Sequence, residues 1–365
     1  MRYSITLLSL LITGLLYAQP DTLVPADGPY LSYEEDGTLL AQWAWPEERR
    51  RGSAVFSADT VALPTFRTFR PEMIQADRVF QRESKISFKD VKKLAVVSDI
   101  HGQYDVFRKL LTTHGVMDEH QRWAFGEGHF VIVGDIFDRG PQVTEILWLV
   151  HNLQLEAEQA GGRVHFLLGN HETMIMDGDV RYINERYLVT GGLLRTPYQK
   201  FFDAGTYLGR WLRSRPLAVE INGIAFVHGG ISTDLIRVVR TLTDINNLYH
   251  DNVIDNEYGT EISNTHRIKL LEGRSGPLWY RGYFMDKGFE AKDMARILKK
   301  LRIHRMIVGH TSFTAIQPFF DGKLIAVDSS IKFGSMGEIL LIEDGDFIRG
   351  GLLGERTPLF LTGMR

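Results

Sequence analysis

Five short apolar segments of this chain each end in polar residues, and this arrangement limits the fold more than any other feature. In the segment VIVGDIFDRGP, residues 131–141, an apolar strand stops at a glycine that is followed by two acids and an arginine. The other four segments end in the polar runs SDIHG (98–102), GNHE (169–172), HGG (228–230) and GHT (309–311). Because buried strands of an α/β sheet place ligand-binding residues at their carboxyl ends, we expect these side chains to meet at one edge.

Helical patterns between and after these strands predict an α/β fold. Apolar residues recur at helical spacing in five segments: 103–114, 143–155, 197–213, 234–250 and 287–301. Strands that alternate with helices are typical of βαβ units. Residues 315–353 return to strand patterns, with turns at Asp321-Gly322 and Asp344-Gly345. We therefore predict one α/β domain with two stacked sheets and helices on the outside.

The N-terminus has the pattern of a signal peptide. Arg2 precedes an apolar run over residues 5–17, which is too short to span a bilayer, and Ala18-Gln19 follows it. We expect cleavage after Ala18, a periplasmic or secreted location and no transmembrane segment in the mature chain. A buried first helix or an uncleaved anchor is the alternative.

The sequence of residues 19–90 predicts a β-rich N-terminal extension. Asp36-Gly37 is a strong hairpin turn signal in the middle of residues 30–45, which alternate as strands do. Four aromatic residues of the extension are expected to pack against the core: Trp43, Trp45, Phe66 and Phe69. The remainder, residues 91–365, carries all five polar strand ends.

Composition excludes several classes of function. The formal net charge of the 365-residue chain is −3, so the sequence has no broad positive surface for a nucleic-acid partner. The chain has no cysteine. Disulfides, thiolate metal sites and cysteine nucleophiles are therefore excluded.

The polar runs differ in how specific they are. Asp99 and His101 are two possible metal ligands that lie two residues apart after a strand, a pair that also arises by chance. The pattern GD-x-x-DRG at 134–140 fixes five residues and matches a random position on the order of one time in a million. Each of the remaining runs is modest alone, but in this order they support one another.

Together these runs resemble the motif blocks of the calcineurin-like metallophosphoesterases. GDIFDRG with GNHE resembles the phosphoprotein phosphatase branch, and Leu168 and GPLWYRG (276–282) resemble its Shewanella-like bacterial-type members. Ser312 stands where many other metallophosphoesterases have a second histidine, which also favours this branch. Ser98 replaces the usual glycine and is expected to leave metal ligation untouched. The resemblance covers residues 94–333 and implies two stacked mixed β-sheets flanked by helices, an α/β/β/α sandwich with a catalytic domain over 91–365.

The resemblance also implies roles for individual residues. One metal would be held by Asp99, His101 and Asp135, and the second by Asp135, Asn170, His228 and His310. His171 would be the general acid, oriented by Asp138, with a core histidine as the alternative reading. Arg139 and Arg281 would bind phosphoryl oxygens, although Arg281 is placed only through GPLWYRG. The ligands suit two divalent ions, with Mn²⁺ expected and Fe or Zn as alternatives.

The implied function is phosphomonoester hydrolysis by direct attack of a metal-bridging hydroxide. The expected substrate is a phosphorylated protein, on Ser/Thr or Tyr, or a small phosphomonoester. A hydrolase of nucleotides such as diadenosine polyphosphates could use the same site. A catalytically inactive binding protein is the third hypothesis, which the intact ligand set disfavours.

Overall fold

The computed structural model describes residues 26–57, 63–254 and 270–360. The predicted signal peptide, residues 1–18, lies outside these residues. Within the described residues, no helix is both long enough and apolar enough to cross a bilayer.

Strands occur at both ends of the described chain and alternate with helices between them. In chain order the strands are β1 (Asp27–Tyr33), β2 (Leu39–Trp45), β3 (Arg50–Phe56), β4 (Ser87–Phe88), β5 (Lys93–Val97), β6 (His129–Ile132), β7 (Arg163–Phe166), β8 (Ala218–Ile221), β9 (Ile224–Val227), β10 (Arg305–Val308), β11 (Gln317–Phe319), β12 (Leu324–Ala326), β13 (Ile339–Glu343), β14 (Asp346–Gly350) and β15 (Arg356–Pro358). The α-helices are α1 (Tyr104–Thr113), α2 (Val143–Gln159), α3 (Asn170–Met176), α4 (Glu185–Leu194), α5 (Tyr207–Arg213), α6 (Leu235–Val238), α7 (Leu242–Tyr249), α8 (Gly282–Met285) and α9 (Ala291–Leu301).

Two six-stranded mixed sheets form the centre of the fold. The first has the order β15-β14-β13-β5-β6-β7, and the second has the order β11-β12-β10-β9-β8-β4. β5, β6 and β7 are mutually parallel, as are β9 and β10, so the strands that end in the polar motifs run in the same direction within each sheet. The predicted pair of stacked sheets with helices outside is confirmed.

Strands β5 and β6 of the first sheet are buried on both faces. Leu94 and Val96 of β5 pack in the apolar core shared with the second sheet, whereas Ala95 and Val97 pack in the core under the helices. A strand covered on both sides has no polar alternation, so its sequence is a continuous apolar run. This explains why the polar motifs begin only where the strands end.

Most of the predicted elements occur, with some differences in their bounds. The helices predicted at 103–114 and 143–155 are α1 and α2. The segment 197–213 is divided into a 3₁₀ turn and α5, and the segment 234–250 into α6 and α7. Val239 between α6 and α7 is extended (φ −113°, ψ 155°), which interrupts the helical backbone. The spacing of apolar residues in the sequence does not predict such a break in a helix.

The N-terminal strands pack on the same core as the first sheet. β1 and β2 form the predicted antiparallel hairpin, in which Asp36 accepts hydrogen bonds from the backbone and hydroxyl of Thr38. Trp43 and Phe69 are buried as expected, and the ring of Phe69 lies 4.8 Å from that of Trp148 on α2. The boundary near residue 90 stays a prediction, but this sheet shares its core with the following domain.

Buried polar side chains connect β1 to α2 and α4. The hydroxyl of Tyr30 lies 3.1 Å from both carboxylate oxygens of Asp27, and Thr190 donates to the same carboxylate at 2.6 Å. Arg186 on α4 lies 3.2 Å from Glu145 on α2. Burial raises the pKa of Glu145 to about 7, although the charge of Arg186 opposes this shift.

Changing Glu145 to Gln should alter how stability depends on pH. The carboxyl of Glu145 titrates near pH 7 when folded and near 4.5 when unfolded, so the folded chain binds more protons between these values. Stability from this group is therefore full at low pH and is lost as pH rises from about 4.5 to 7, by up to about 3 kcal/mol. We expect the Tm of the wild type relative to Glu145→Gln to fall between pH 5 and pH 8. A difference in Tm that stays constant over this range contradicts the assignment.

Candidate dinuclear metal site

The five polar strand ends meet at one edge of the two sheets. The amide of Asp99, after β5, donates to the carbonyl of Gly134, after β6, at 3.1 Å. The amide of His310, after β10, donates to the carboxylate of Asp99 at 2.9 Å. His228, after β9, lies 3.0 Å from the side-chain oxygen of Asn170, after β7. Side chains from both sheets therefore face one small buried volume.

The backbone at this edge is strained. Several non-glycine residues of the site have a φ in the left-handed region, which costs about 1–3 kcal/mol each and is concentrated at functional sites. These residues are Asp99 (53°), His101 (47°), Asp135 (60°), Asp138 (73°), Arg139 (65°) and His310 (62°). The strand ends thus turn sharply, and the turns bring consecutive side chains into the same space.

Asp135 is at the centre of the cluster. Its Oδ2 atom lies 3.2 Å from Nε2 of His228, 3.8 Å from Nε2 of His101 and 3.9 Å from Nε2 of His171. Two groups of possible metal ligands share this carboxylate, one with His101 and His171 and one with His228 and His310. Within each group the ligand atoms lie within 4.8 Å of one another. A carboxylate common to two such groups is in the position of a bridging ligand.

Hydrogen bonds fix the histidine rings for metal binding. Nδ1 of His101 lies 2.7 Å from the carbonyl of Phe137, and Nδ1 of His228 lies 2.7 Å from that of Val133. Since a carbonyl only accepts, both rings donate from Nδ1, and this bond directs Nε2 of each ring into the cluster. Nε2 of His310 is buried and has no hydrogen-bond partner among the described residues. A cation would satisfy this atom.

Asp99 is oriented by two donors on one oxygen. The hydroxyl of Ser98 and the amide of His310 both donate to its Oδ2, at 2.6 and 2.9 Å, while its Oδ1 lies 3.9 Å from Nε2 of His101. Ser98 therefore orients a candidate ligand, and the expectation that it leaves ligation untouched stays a prediction. A side chain at Gly309 would place its Cβ 1.9 Å from the Ser98 hydroxyl, so Gly309 is required beside this serine.

Burial and mutual charge perturb the pKa values of the cluster. Burial, with Asp328 and Asp135 nearby, raises the pKa of Asp99 well above its usual range. Burial opposes the charged form of His228, but the carboxylate of Asp135 raises the pKa of His228 to about 10. Burial lowers the pKa of His101 to about 3 and that of His310 to about 2, so both rings are neutral at pH 7. Neutral imidazoles beside crowded carboxylates favour the binding of cations.

The donor set fits two divalent ions. It offers carboxylate, amide and imidazole ligands, which suit Mn²⁺, Fe or Zn. The ligand groups above share Asp135, include His101, His228 and His310, and have Asp99 and Asn170 beside them. By distance, His171 is also within reach of the first group. The six predicted ligands therefore lie together, although their individual assignment to each ion stays a prediction.

His171 and Asp138 form a hydrogen-bonded pair at the border of the cluster. Nδ1 of His171 bonds to Oδ2 of Asp138, and Nε2 of His171 faces Asp135. Burial lowers the pKa of His171, but Asp135 and Asp138 outweigh this effect and raise it. A protonated His171 held by a carboxylate is suited to donate a proton.

The two predicted arginines lie at the rim. Arg139 is exposed, its guanidinium lies 5.6 Å from the centre of the Tyr182 ring, and that ring is 5.5 Å from the ring of His171. Arg281 is half-buried immediately before α8, and its charge contributes to the lowered pKa of His310. Both positions allow a guanidinium to approach the buried cluster from solvent.

Two buried acids without a predicted role support the site. Glu172 accepts hydrogen bonds from the amides of Asp135, Ile136 and Gly169 at 2.8, 2.7 and 2.7 Å. Asp328 is fully buried and accepts from the hydroxyl of Ser312. Asp328 follows β12 almost directly, so the pattern of a strand ending in an acid could have identified it. For Glu172, its place beside His171 in GNHE was the available signal.

Comparison with known proteins agrees with this geometry. Residues 92–312 match the family described as calcineurin-like phosphoesterase. The chain is similar to the crystal structure of a cold-active protein-tyrosine phosphatase from a psychrophilic Shewanella species, with 37% identity, a TM-score of 0.82, and coverage of 92% of this chain and 99% of that chain. It is 27% identical over 228 residues to Shewanella-like protein phosphatase 1 of Plasmodium berghei, which covers 60% of this chain and 61% of that protein. Shewanella-like protein phosphatase 2 of Arabidopsis thaliana is 37% identical over 101 residues, or 28% of this chain and 26% of that protein.

The chain belongs to the calcineurin-like phosphoesterase family. By this membership and by the phosphatases among its relatives, it is a metal-dependent phosphatase. The resemblance to Shewanella-like phosphatases, predicted from Leu168 and the GPLWYRG block, is confirmed. The matches to the two Shewanella-like phosphatases span less than two thirds of either protein.

Changing Asp135 to Asn should remove metal from the protein. Asp135 is the carboxylate common to both ligand groups, so the change takes one anionic ligand from each position. We expect elemental analysis to find fewer than two metal ions per chain in Asp135→Asn. Asp138→Asn is the matched control, because Asp138 is equally buried but hydrogen-bonds to His171. If Asp135→Asn retains the metal content of the wild type, Asp135 does not bridge two ions.

Proposed function

We propose that the protein hydrolyses phosphomonoesters on proteins, with phosphotyrosine as the preferred substrate. The observation that carries this proposal is the pair of ligand groups that share Asp135 beside the His171–Asp138 pair. Support for a protein substrate comes from the names of the relatives, which include two protein phosphatases and a protein-tyrosine phosphatase. The chain covers 99% of the last of these.

Six residues of the chain are proposed to bind the metal ions that activate the attacking water. Asp99, His101, Asp135, Asn170, His228 and His310 would hold the two ions. When bound, two divalent cations activate a water molecule and neutralise charge on the phosphoryl oxygens. Because this activated water would be the nucleophile, no side-chain nucleophile is required.

His171 is proposed to protonate the departing oxygen. Asp138 fixes Nδ1 of His171 in the protonated form, so Nε2 is the atom that delivers the proton. The raised pKa of His171 keeps the ring protonated to higher pH than for a free histidine. A phenolic or alkoxide leaving group then departs as a neutral alcohol.

The rim arginines are proposed to bind the phosphoryl group. The backbone of Arg139 is fixed by a hydrogen bond from its amide to the carbonyl of Tyr182 at 2.9 Å, and its side chain is exposed. Arg281 lies immediately before α8, and its charge acts on His310. Forked guanidinium donors match the geometry of phosphoryl oxygens, so the two side chains can orient the substrate between them.

A periplasmic or secreted location is proposed on the sequence of residues 1–18 alone. The charged start, short apolar run and small residue at position 18 support export. Phosphorylated proteins outside the cytoplasm would then be the accessible substrates.

Changing His171 to Asn should slow the reaction according to the leaving group. A general acid contributes about 10²–10⁴-fold, so kcat should fall by about this amount on a phosphoserine peptide, whose alkoxide is a poor leaving group. The loss should be much smaller on p-nitrophenyl phosphate, whose phenolate leaves without a proton. Metal content by elemental analysis is the control and should be unchanged. Equal losses on both substrates are inconsistent with an acid role for His171.

Substrate class and metal dependence can be tested in one experiment. Wild-type enzyme is assayed on a phosphotyrosine peptide, the same peptide with phosphoserine, and diadenosine tetraphosphate. We expect the highest kcat/KM on phosphotyrosine, loss of activity after chelation and recovery with Mn²⁺. A preference for the dinucleotide would instead identify a nucleotide hydrolase. Activity that survives complete removal of metal contradicts the dinuclear site.

A further inference from the structure

A cavity of about 480 Å³ lies along one face of α4. Positions three or four residues apart on the helix and its C-cap line it, and the chain that returns after the helix, residues 196–199, lines it as well. We call this cavity the α4 groove. Its lining residues on the helix and the C-cap are Tyr187, Leu188, Gly191, Gly192 and Arg195.

The segment before α4 connects the α4 groove to the candidate metal site. The carbonyl of Tyr182 accepts a hydrogen bond from the amide of Arg139 at 2.9 Å, and the centre of its ring lies 5.5 Å from that of His171. Val180 and Ile183, within two residues of Tyr182, line the groove. A protein substrate whose phosphate reaches His171 therefore has the groove beside it.

Apolar side chains are exposed along this path. Leu188 in the α4 groove is 63% exposed, and Tyr182 at its beginning is 44% exposed. Tyr187 and Tyr198 line the groove but are themselves buried. Exposed apolar groups that lie together mark interaction sites, because covering them removes apolar surface from water.

Two consecutive glycines of α4 lie in the groove, although glycine disfavours a helix interior. The fold requires Gly191, since a Cβ there would lie 2.9 Å from the carbonyl oxygen of Thr196. A Cβ at Gly192 would meet no atom of the described chain within 4 Å, and the φ of Gly192 is outside the left-handed region. Neither packing nor backbone conformation explains Gly192. Its missing side chain leaves the groove open.

The charge in the groove is positive. Arg195 is the single charged side chain among the described lining residues, and it is exposed. Within the described ranges it forms no ion pair. An acidic group of a partner would complement this charge.

We propose that the α4 groove docks an extended segment of the protein substrate, with an apolar side chain against Leu188 and Gly192 and an acidic side chain at Arg195. This inference rests on the proposed function and adds a sequence preference to it. From Glu185 to Arg195, α4 and its C-cap span about 15 Å at 1.5 Å per residue. An extended peptide covers this length with about five residues. We therefore expect the apolar residue about three positions from the phosphorylated residue and the acidic residue about five positions from it.

Fluorescence polarisation on the full-length, Mn²⁺-loaded chain tests the groove. The probe is a fluorescein-labelled peptide that carries a difluoromethylphosphonate in place of the phosphate of phosphotyrosine, so its binding requires no hydrolysis. Leucine lies three positions away and glutamate five positions away on both sides, which makes the probe equivalent in either chain direction. Replacing the leucines by serine should weaken binding about tenfold, because apolar burial is lost. Replacing the glutamates by lysine should weaken it about two- to fivefold, because an exposed ion pair contributes little.

Gly192→Phe should weaken binding of the leucine probe about tenfold and leave the serine probe unchanged, since the added ring occupies the place of the leucine. Val189→Phe is the matched control, because Val189 is 38% exposed on the same helix and does not line the groove. Arg195→Gln should bind the glutamate and lysine probes equally. If Gly192→Phe does not fold, Arg195→Gln and the probe series on the wild type decide the question.

Four results would overturn the proposal. They are equal binding of the leucine and serine probes by the wild type, equal binding of the glutamate and lysine probes by the wild type, unchanged binding of the leucine probe by Gly192→Phe, and a wild-type dimer in sedimentation velocity that Gly192→Phe dissociates. The last result would show that a second copy of the chain occupies the groove. Hydrolysis of the matching phosphotyrosine peptide separates this test from that of the proposed function. A chain that binds the probe with the expected preferences but does not hydrolyse this peptide contradicts the proposed function and leaves the groove assignment intact.

Discussion

The fully buried carboxylate of Glu172 is the interaction on which the arrangement of the site depends. It receives the amides that follow β6 and the amide of Gly169 after β7, so it joins two strand ends that the sheet alone would leave apart. Burial of this carboxyl raises its pKa, but the backbone donors favour the charged form. A carboxylate with several amide donors and no room for water is costly to replace. The position of Asp135, and hence of both ligand groups, follows from it.

Further hydrogen bonds hold the other candidate ligands in place. Ser98 and the amide of His310 orient Asp99, and backbone carbonyls orient the rings of His101 and His228 through Nδ1. The atoms that form these hydrogen bonds are not themselves candidate metal ligands. They determine which atoms of the ligands face the centre, and metal sites lose affinity when such groups are removed.

The sequence predicted the architecture and the residues of the site, but not how they are held. A continuous apolar run predicts a strand that is buried on both faces, and the motif after it predicts a residue of the site. Both predictions need only neighbouring residues of the sequence. The bond between Ser98 and Asp99 depends on Gly309, more than two hundred residues away, which leaves room for the hydroxyl. Asp328 was missed although it follows a strand, since no second residue completed a motif around it. Such long-range contacts have no periodicity in the sequence.

The candidate ligands are divided between the two sheets: Asp99, His101, Asp135 and Asn170 follow strands of the first, and His228 and His310 follow strands of the second. An ion held by both sets would connect the sheets across the apolar core between them. Because the unfolded chain scatters these ligands over some two hundred residues, ion binding would stabilise the folded chain specifically. Loss of metal and separation of the sheets would then be one thermodynamic event, so the resistance of this phosphatase to heat would depend on the free metal concentration around it.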